Sequence, residues 1–225
     1  SASAFSLLLD GILHISAGDS AGLRAPKHLL ELPRPNGPVT LATPGHLLSA
    51  PLKTLAQRLR PGRMCVDQGG MGNCGPNTLA YMLGLVKLTE VDGVQLRRIV
   101  SDHSKAEGVL QRTTSILLED DSLISMEKLI QLNIEHWPSH ALQGKSRTIE
   151  TWQELILQPA TWTDVAFVQL TADFFKVSFH HVGVDDLSSV FDMGTISPCD
   201  KVASVALCEI GVWYDRHFVA ILDVA

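Results

Sequence analysis

The chain has 225 residues, 45% of them hydrophobic, enough for one large domain, or one domain with an appended segment, to bury a core without help from disulfides or metals. Lys plus Arg total 18 against 24 Asp plus Glu, and the formal charge of −6 with no long basic run argues against nucleic acid as a partner. The four cysteines (Cys65, Cys74, Cys199 and Cys208) contain no CxxC pair and make no disulfide framework for a chain this long, so reduced thiols, a cytosolic compartment and no metal or other cofactor are expected.

Residues 1–62 are loosely patterned. Ala4–Leu13 is apolar but interrupted by Asp10, too short to span a bilayer and without the basic flank of a signal peptide, so no membrane attachment is expected. Opening at Ser1 without a methionine suits a piece of something longer. Helical apolar spacing covers Ala4–Ile15 and Leu48–Leu59. Between them Leu32–Gly45 holds Pro33, Pro35, Pro38 and Pro44, a loop with room for one short strand at Val39–Ala42. From Met64 the pattern tightens. Asp67–Gly75 is a glycine-dense turn that runs into helical spacing over Pro76–Val86. Further helices fit Val94–Ser104, Ser125–Leu132 and a segment capped by Thr163 and ending at Phe175. Val177–Val182, Val205–Ile210 and Phe218–Val224 are short and rich in β-branched and aromatic residues, which predicts strands. The order is α+β, with helices segregated from a sheet formed mostly late in the chain.

Cys74 stands between the glycine turn and a helix start, with Pro76 suited to the first helical turn. A thiol there meets the positive end of the helix dipole, which favours thiolate. The backbone N–H groups of Gly72, Asn73 and Cys74 are free to face a tetrahedral oxyanion, and Gln68, six residues before Cys74, adds a side-chain donor. Taken alone, Gly-Asn-Cys-Gly is as consistent with a buried inert thiol in a tight turn. A second residue type decides between the two. A thiolate nucleophile needs an imidazole from elsewhere in the fold. His217 opens the apolar run Phe218–Leu222 after the polar turn Tyr214-Asp215-Arg216, where a histidine is held rigidly yet stays reachable. His180 and His181 compete from Val177–Val182, where alternation would bury one and expose the other.

The segment Val66-Asp67-Gln68-Gly69-Gly70-Met71-Gly72-Asn73-Cys74-Gly75-Pro76 resembles the nucleophile signature of the ovarian-tumour (OTU) family of cysteine proteases, whose core is Asp-Gly-Asn-Cys followed by a helix. Leu96-Arg97 resembles the family's Leu-Arg helix. Trp162-Thr163-Asp164, with Leu170, Ala172 and Val177-Ser178-Phe179 after it, resembles its Trp-Gly-Asp/Glu stretch, and Trp213–Phe218 resembles the histidine motif opening the last strand. These motifs run in the family's order from about Met64 to Leu222 and leave residues 1–60 as a variable segment beside a catalytic domain at 61–225. The resemblance implies a papain-like α+β fold and a thiol protease that acts on ubiquitin or a ubiquitin-like protein. A monomer is the default expectation, and a divergent bacterial effector or viral member acting in a host cytosol fits the resemblance.

Two departures bear on the site. Met71 replaces the aspartate of the nucleophile core, and Val219 stands two residues after His217, where OTU enzymes commonly carry Asp or Asn to orient the imidazole. Asp223 is six residues along an extended strand from His217, roughly 20 Å away and out of reach. Asp67 is taken as the third residue with Asp215 as its alternative, and Asn36 or Thr40 from the N-terminal region remain open. Trp213 and Tyr214 are candidates to wall a narrow channel, against ordinary core packing. The Gln68-to-Cys74 separation also matches papain and the bacteriocin-processing peptidases, but those place the orienting residue well after the histidine, and only eight residues follow His217. A non-cleaving ubiquitin binder and an acyltransferase using the same pair are the remaining alternatives.

Overall fold

The computed structural model describes residues 41–42, 63–68, 72–117, 122–159, 161, 163–184, 190–200, 203, 206–214 and 217–223. The helices expected at Ala4–Ile15 and Leu48–Leu59, the first half of the expected strand Val39–Ala42, and almost all of the segment 1–60 lie outside them.

Two short strands come first, β1 (Leu41–Ala42) and β2 (Arg63–Val66). Helix α1 (Cys74–Leu85) begins two residues earlier than the apolar spacing indicates, at the cysteine itself. Helix α2 (Gly93–Lys105) is opened by a reciprocal capping box. Asp92 accepts from the Gln95 backbone N–H at 2.7 Å, and the Asp92 N–H donates to Gln95 Oε1 at 3.0 Å. The strands β3 (Thr113–Leu117) and β4 (Leu123–Ser125) form a small antiparallel pair. Ser125 ends β4 and caps α3 (Met126–His136), which extends a turn beyond the expected Leu132. A single 3₁₀ turn, Ser139–Leu142, and the short α4 (Ile149–Leu155), capped by Thr148, complete the middle of the chain. Helix α5 (Val165–Phe175) is capped by Asp164, whose carboxylate accepts from the Phe167 N–H at 2.9 Å, so the cap falls one residue after the expected Thr163. The last four strands are β5 (Ser178–Val184), β6 (Val190–Ile196), β7 (Leu207–Tyr214) and β8 (His217–Asp223).

One sheet takes the order β1-β2-β8-β7-β5-β6. One strand is longer than its sequence pattern indicates. β7 runs on through Trp213 and Tyr214 to pair with β8, leaving only positions 215 and 216 between the two strands. The sheet forms mostly late in the chain, as expected, and β2 joins it by pairing antiparallel with β8, setting Cys65 against Ile221 and Val66 against Ala220. Strand β6, unpredicted, is the antiparallel partner of β5. β7 and β8 approach so closely that Gly211, at φ +114°, has no room for a side chain. A Cβ built there would sit 1.1 Å from the Val219 carbonyl oxygen.

The core lies between this sheet and the helices. Leu79 and Leu83 of α1, Leu96 and Val100 of α2, Leu129 and Ile130 of α3, Trp152 of α4 and Phe167 of α5 are fully buried. Such burial contributes roughly 1.5–3 kcal/mol for each large aliphatic or aromatic side chain, before entropy is set against it. Helix α1 is fixed to β8 by a buried bond from the Thr78 hydroxyl to the Phe218 carbonyl, 3.2 Å long. The start of the helix is thereby held beside the start of the strand.

Candidate active site

Gly72 has φ +82°, in the left-handed region that favours glycine, and it turns the chain into Asn73, the cap of α1. Cys74 is the first residue of the helix and is buried, with 8% of its surface exposed. The Asn77 N–H donates to the Asn73 carbonyl at 2.9 Å, and the N–H groups of a helix's first turn point out of the helix end rather than into it. Asn73 makes no side-chain cap. Its Oδ1 instead accepts from Arg97 Nε at 2.8 Å.

His217 is the first residue of β8, and its Nε2 lies 2.8 Å from Asp67 Oδ1. The β2–β8 register explains this. One step beyond the pair Val66–Ala220, Asp67 comes to lie beside Val219. Facing residues share a side of the sheet, as do residues two apart on a strand, so Asp67 and His217 point the same way. The position two residues after the histidine carries Val219, and the carboxylate that bonds the imidazole comes from the residue directly after β2. Asp67 is almost fully buried, while the His217 side chain keeps 32% of its surface exposed.

The imidazole of His217 is pushed up to about 9, first by a hydrogen bond with Cys74. Burial opposes the rise, and the charges of Cys74 and Asp67 add to it. With Nε2 engaged by Asp67, Nδ1 is the nitrogen left for the sulfur. Three residues singled out in the sequence, Cys74, His217 and Asp67, thus meet in one hydrogen-bonded row, from the start of α1, the start of β8 and the residue that follows β2.

The other candidates are distributed around this row. Gln68 directly follows Asp67 and is half-buried. Asp215, Asn36, Thr40 and Met71 lie outside the described residues. Tyr214 and Trp213 pair through their backbones with His217 and Phe218, and their side chains are not described. His180 and His181 are both buried at 1% exposure, against the expectation of one inside and one outside. β-bulges at this point break the two-residue alternation on both sides of β5. His181 stacks on Phe218 and is pushed down to about 3 by burial and by the neighbouring His180, so it stays neutral.

In the sequence Arg97 stands out only as part of a motif, whereas in the fold its side chain is wholly buried and bonded to the Gly72–Asn73 turn. The signal was present. Arg97 falls on the stripe of α2 formed by Gly93, Leu96, Val100, Ser101 and Ser104, all of them buried. Asp164 is likewise more than a cap. Its Oδ2 accepts from the indole N–H of Trp152 at 2.7 Å and of Trp137 at 3.2 Å, and burial pushes its carboxyl up to about 6 against these bonds. Among the described residues, no group of three His, Cys, Asp or Glu side chains is placed to hold a metal ion. No helix among them is long and apolar enough to cross a membrane.

No family model matches the chain, and no curated protein does. Solved structures do resemble it. An OTU deubiquitinase from Wolbachia pipientis wMel is similar at a TM-score of 0.46 and 14% identity over 72% of this chain and 90% of that one. The OTU of Hazara virus bound to ubiquitin is similar at 0.42 and 13%, over 72% and 82% of the two chains. The viral OTU domain protease of Farallon virus is similar at 0.43 and 12%, over 71% and 83%. All three similar structures are OTU proteins, and this chain by itself sets its helices against a mixed sheet.

Proposed function

We propose that the chain is a thiol hydrolase that cleaves peptide or isopeptide bonds at the C-terminus of ubiquitin or a ubiquitin-like modifier. The row Cys74–His217–Asp67, with a helix start under the sulfur, is the observation that carries the hydrolase part. The order of OTU-like motifs from Met64 to Leu222 carries the choice of substrate.

In this proposal Asp67 holds the His217 ring with Nδ1 toward Cys74 and stabilises the imidazolium. The thiolate attacks the carbonyl carbon of the modifier's C-terminal glycine, and the electron pair displaced onto oxygen is received by backbone N–H groups around Gly72–Cys74, with Gln68 beside them. The C–N bond then breaks as His217 gives its proton to the leaving amine, leaving a thioester on Cys74. Neutral His217 next takes a proton from water, the hydroxide attacks the thioester, and the sulfur departs as thiolate. Residues 1–60 supply a surface that grips the body of the modifier, and the work is done in a reducing cytosol.

Ubiquitin carrying a C-terminal propargylamide, read by intact mass, tests the assignment. Wild-type protein gains the mass of one ubiquitin, and Cys74→Ala gains none. His217→Ala loses hydrolysis of a fluorogenic ubiquitin C-terminal amide while keeping its fold. Full activity in either variant sinks the proposal. A folded wild type that takes no warhead removes ubiquitin as the substrate.

A further inference from the structure

Arg97 is a cation with none of its surface exposed, although a guanidinium costs several kcal/mol to take out of water. All five of its hydrogen bonds go to neutral oxygens. Nε donates to Asn73 Oδ1 at 2.8 Å and Nη1 to the Ile156 carbonyl at 2.8 Å. Nη2 donates to the carbonyls of Gly72 at 2.8 Å, Thr161 at 2.6 Å and Pro159 at 3.3 Å. One rigid fork therefore joins two separate segments, the turn before Cys74 and the stretch 156–161 that follows α4. A side chain of similar volume without charge would fill the core at lower cost. What it could not do is hold the Gly72 carbonyl.

That carbonyl matters because of peptide geometry. No peptide bond among the described residues is cis. In a trans peptide the C=O of Gly72 and the N–H of Asn73 point in opposite directions. Drawing the carbonyl down onto a guanidinium in the core therefore turns the Asn73 N–H away from that guanidinium. Asn73 Oδ1, an oxygen that could have capped α1, is taken by the same fork, which fixes the residue from both sides. The cation also lies within electrostatic range of Cys74 and Asp164, which oppose the lowering of its pKa by burial to about 10, so it keeps its charge at neutral pH.

We propose that Arg97 is a positioning residue that holds the Gly72–Asn73 peptide with its N–H aimed at the oxyanion formed when Cys74 attacks a carbonyl. The inference rests on Cys74 being the nucleophile, and it concerns the oxyanion donors rather than the thiol–imidazole pair.

The two parts separate experimentally, because iodoacetamide reacts with a thiolate at a saturated carbon and forms no oxyanion, whereas hydrolysis needs both. In Arg97→Lys, alkylation of Cys74 across pH stays within about threefold of wild type. Turnover of a ubiquitin C-terminal amide drops about 100-fold in kcat with KM little changed, the size of effect seen when an oxyanion donor is lost. Amide exchange followed by NMR accelerates at Gly72, Asn73 and Cys74 but not in α3. A parallel fall in alkylation and kcat, a loss confined to KM, or unchanged exchange at 72–74 overturns the proposal. If Arg97→Lys does not fold, Asn73→Ala removes a single acceptor and leaves the arginine in place. It should speed exchange at 72–74 and lower kcat about tenfold with alkylation kept, and no change in either overturns the proposal. Wild-type protein that alkylates at Cys74 but does not process ubiquitin refutes the substrate assignment alone, and the exchange measurement then decides the case of Arg97.

Discussion

Replacing Asp67 with alanine isolates the contact that the sequence left open. The carboxylate is 4% exposed and sits 2.8 Å from His217 Nε2, so it forms a charge-assisted bond with little competition from water. Hydrogen bonds to charged groups contribute about 1.5–3 kcal/mol. If that energy is expressed in the transition state, where His217 is an imidazolium donating its proton, its loss lowers kcat/KM by about 10- to 150-fold at about 1.4 kcal/mol per decade. Asp67→Asn keeps an acceptor oxygen without the charge and should lose a smaller share. The assay is release of a fluorophore from the ubiquitin C-terminus, with thermal melting to establish that each variant is folded. Asp215→Ala serves as the comparison and is expected to stay within about threefold of wild type. A folded Asp67→Ala at the wild-type rate, or an Asp215→Ala slower than Asp67→Ala, would refute the assignment of Asp67 to the imidazole.

The remaining expectations concern pH and stability. The His217 imidazole, at about 9, keeps its proton through neutral pH, so turnover should fall as pH rises through about 9. The alkaline limb should move to lower pH in Asp67→Ala, and a limb that stays in place contradicts the charge coupling. A raised folded-state value stabilises fully below the ordinary imidazole value near 6.5 and loses its effect as pH rises through about 9. The gap in Tm between wild type and His217→Ala should therefore narrow over that window. Asp173, a buried residue of α5, is bonded by His103 at 2.7 Å, Arg112 at 2.9 Å and Lys176 at 3.2 Å. Burial alone would raise its carboxyl, but the bond from His103 and the charges of Lys176 and Arg112 outweigh burial and hold it well below the usual range. Its contribution is present above about pH 4 and is lost as pH falls through that depressed value. Asp173→Ala should cost about 3–5 kcal/mol in urea unfolding at neutral pH, and a cost under about 1 kcal/mol would show the cluster to be ornamental. Gly211→Ala forces a Cβ against the Val219 carbonyl at a left-handed φ. It should destabilise by at least about 2 kcal/mol through strain and overpacking, and a variant melting like wild type would contradict the close approach of β7 and β8.

The sequence by itself determined the features that local chemistry dictates. A glycine turn running into a helix marked Cys74, because the phi freedom and the helix start are both properties of a dozen consecutive residues. His217 was legible as a histidine at the mouth of an apolar run, and the main helices were legible from their spacing and caps. β6, the β3–β4 pair and α4 were not, since short elements with bulges or few periods leave a weak pattern; the bulges around His180 and His181 defeated alternation in the same way. Asp67 was one candidate among several in the sequence. What selected it for contact with His217 is the register of β2 against β8, a pairing between segments about 150 residues apart that no local pattern encodes. Arg97 is the extreme case. Its partners are four backbone carbonyls and one amide oxygen from two separate segments of the chain, and because every residue has a carbonyl, only the tertiary fold could say which ones a buried guanidinium would hold.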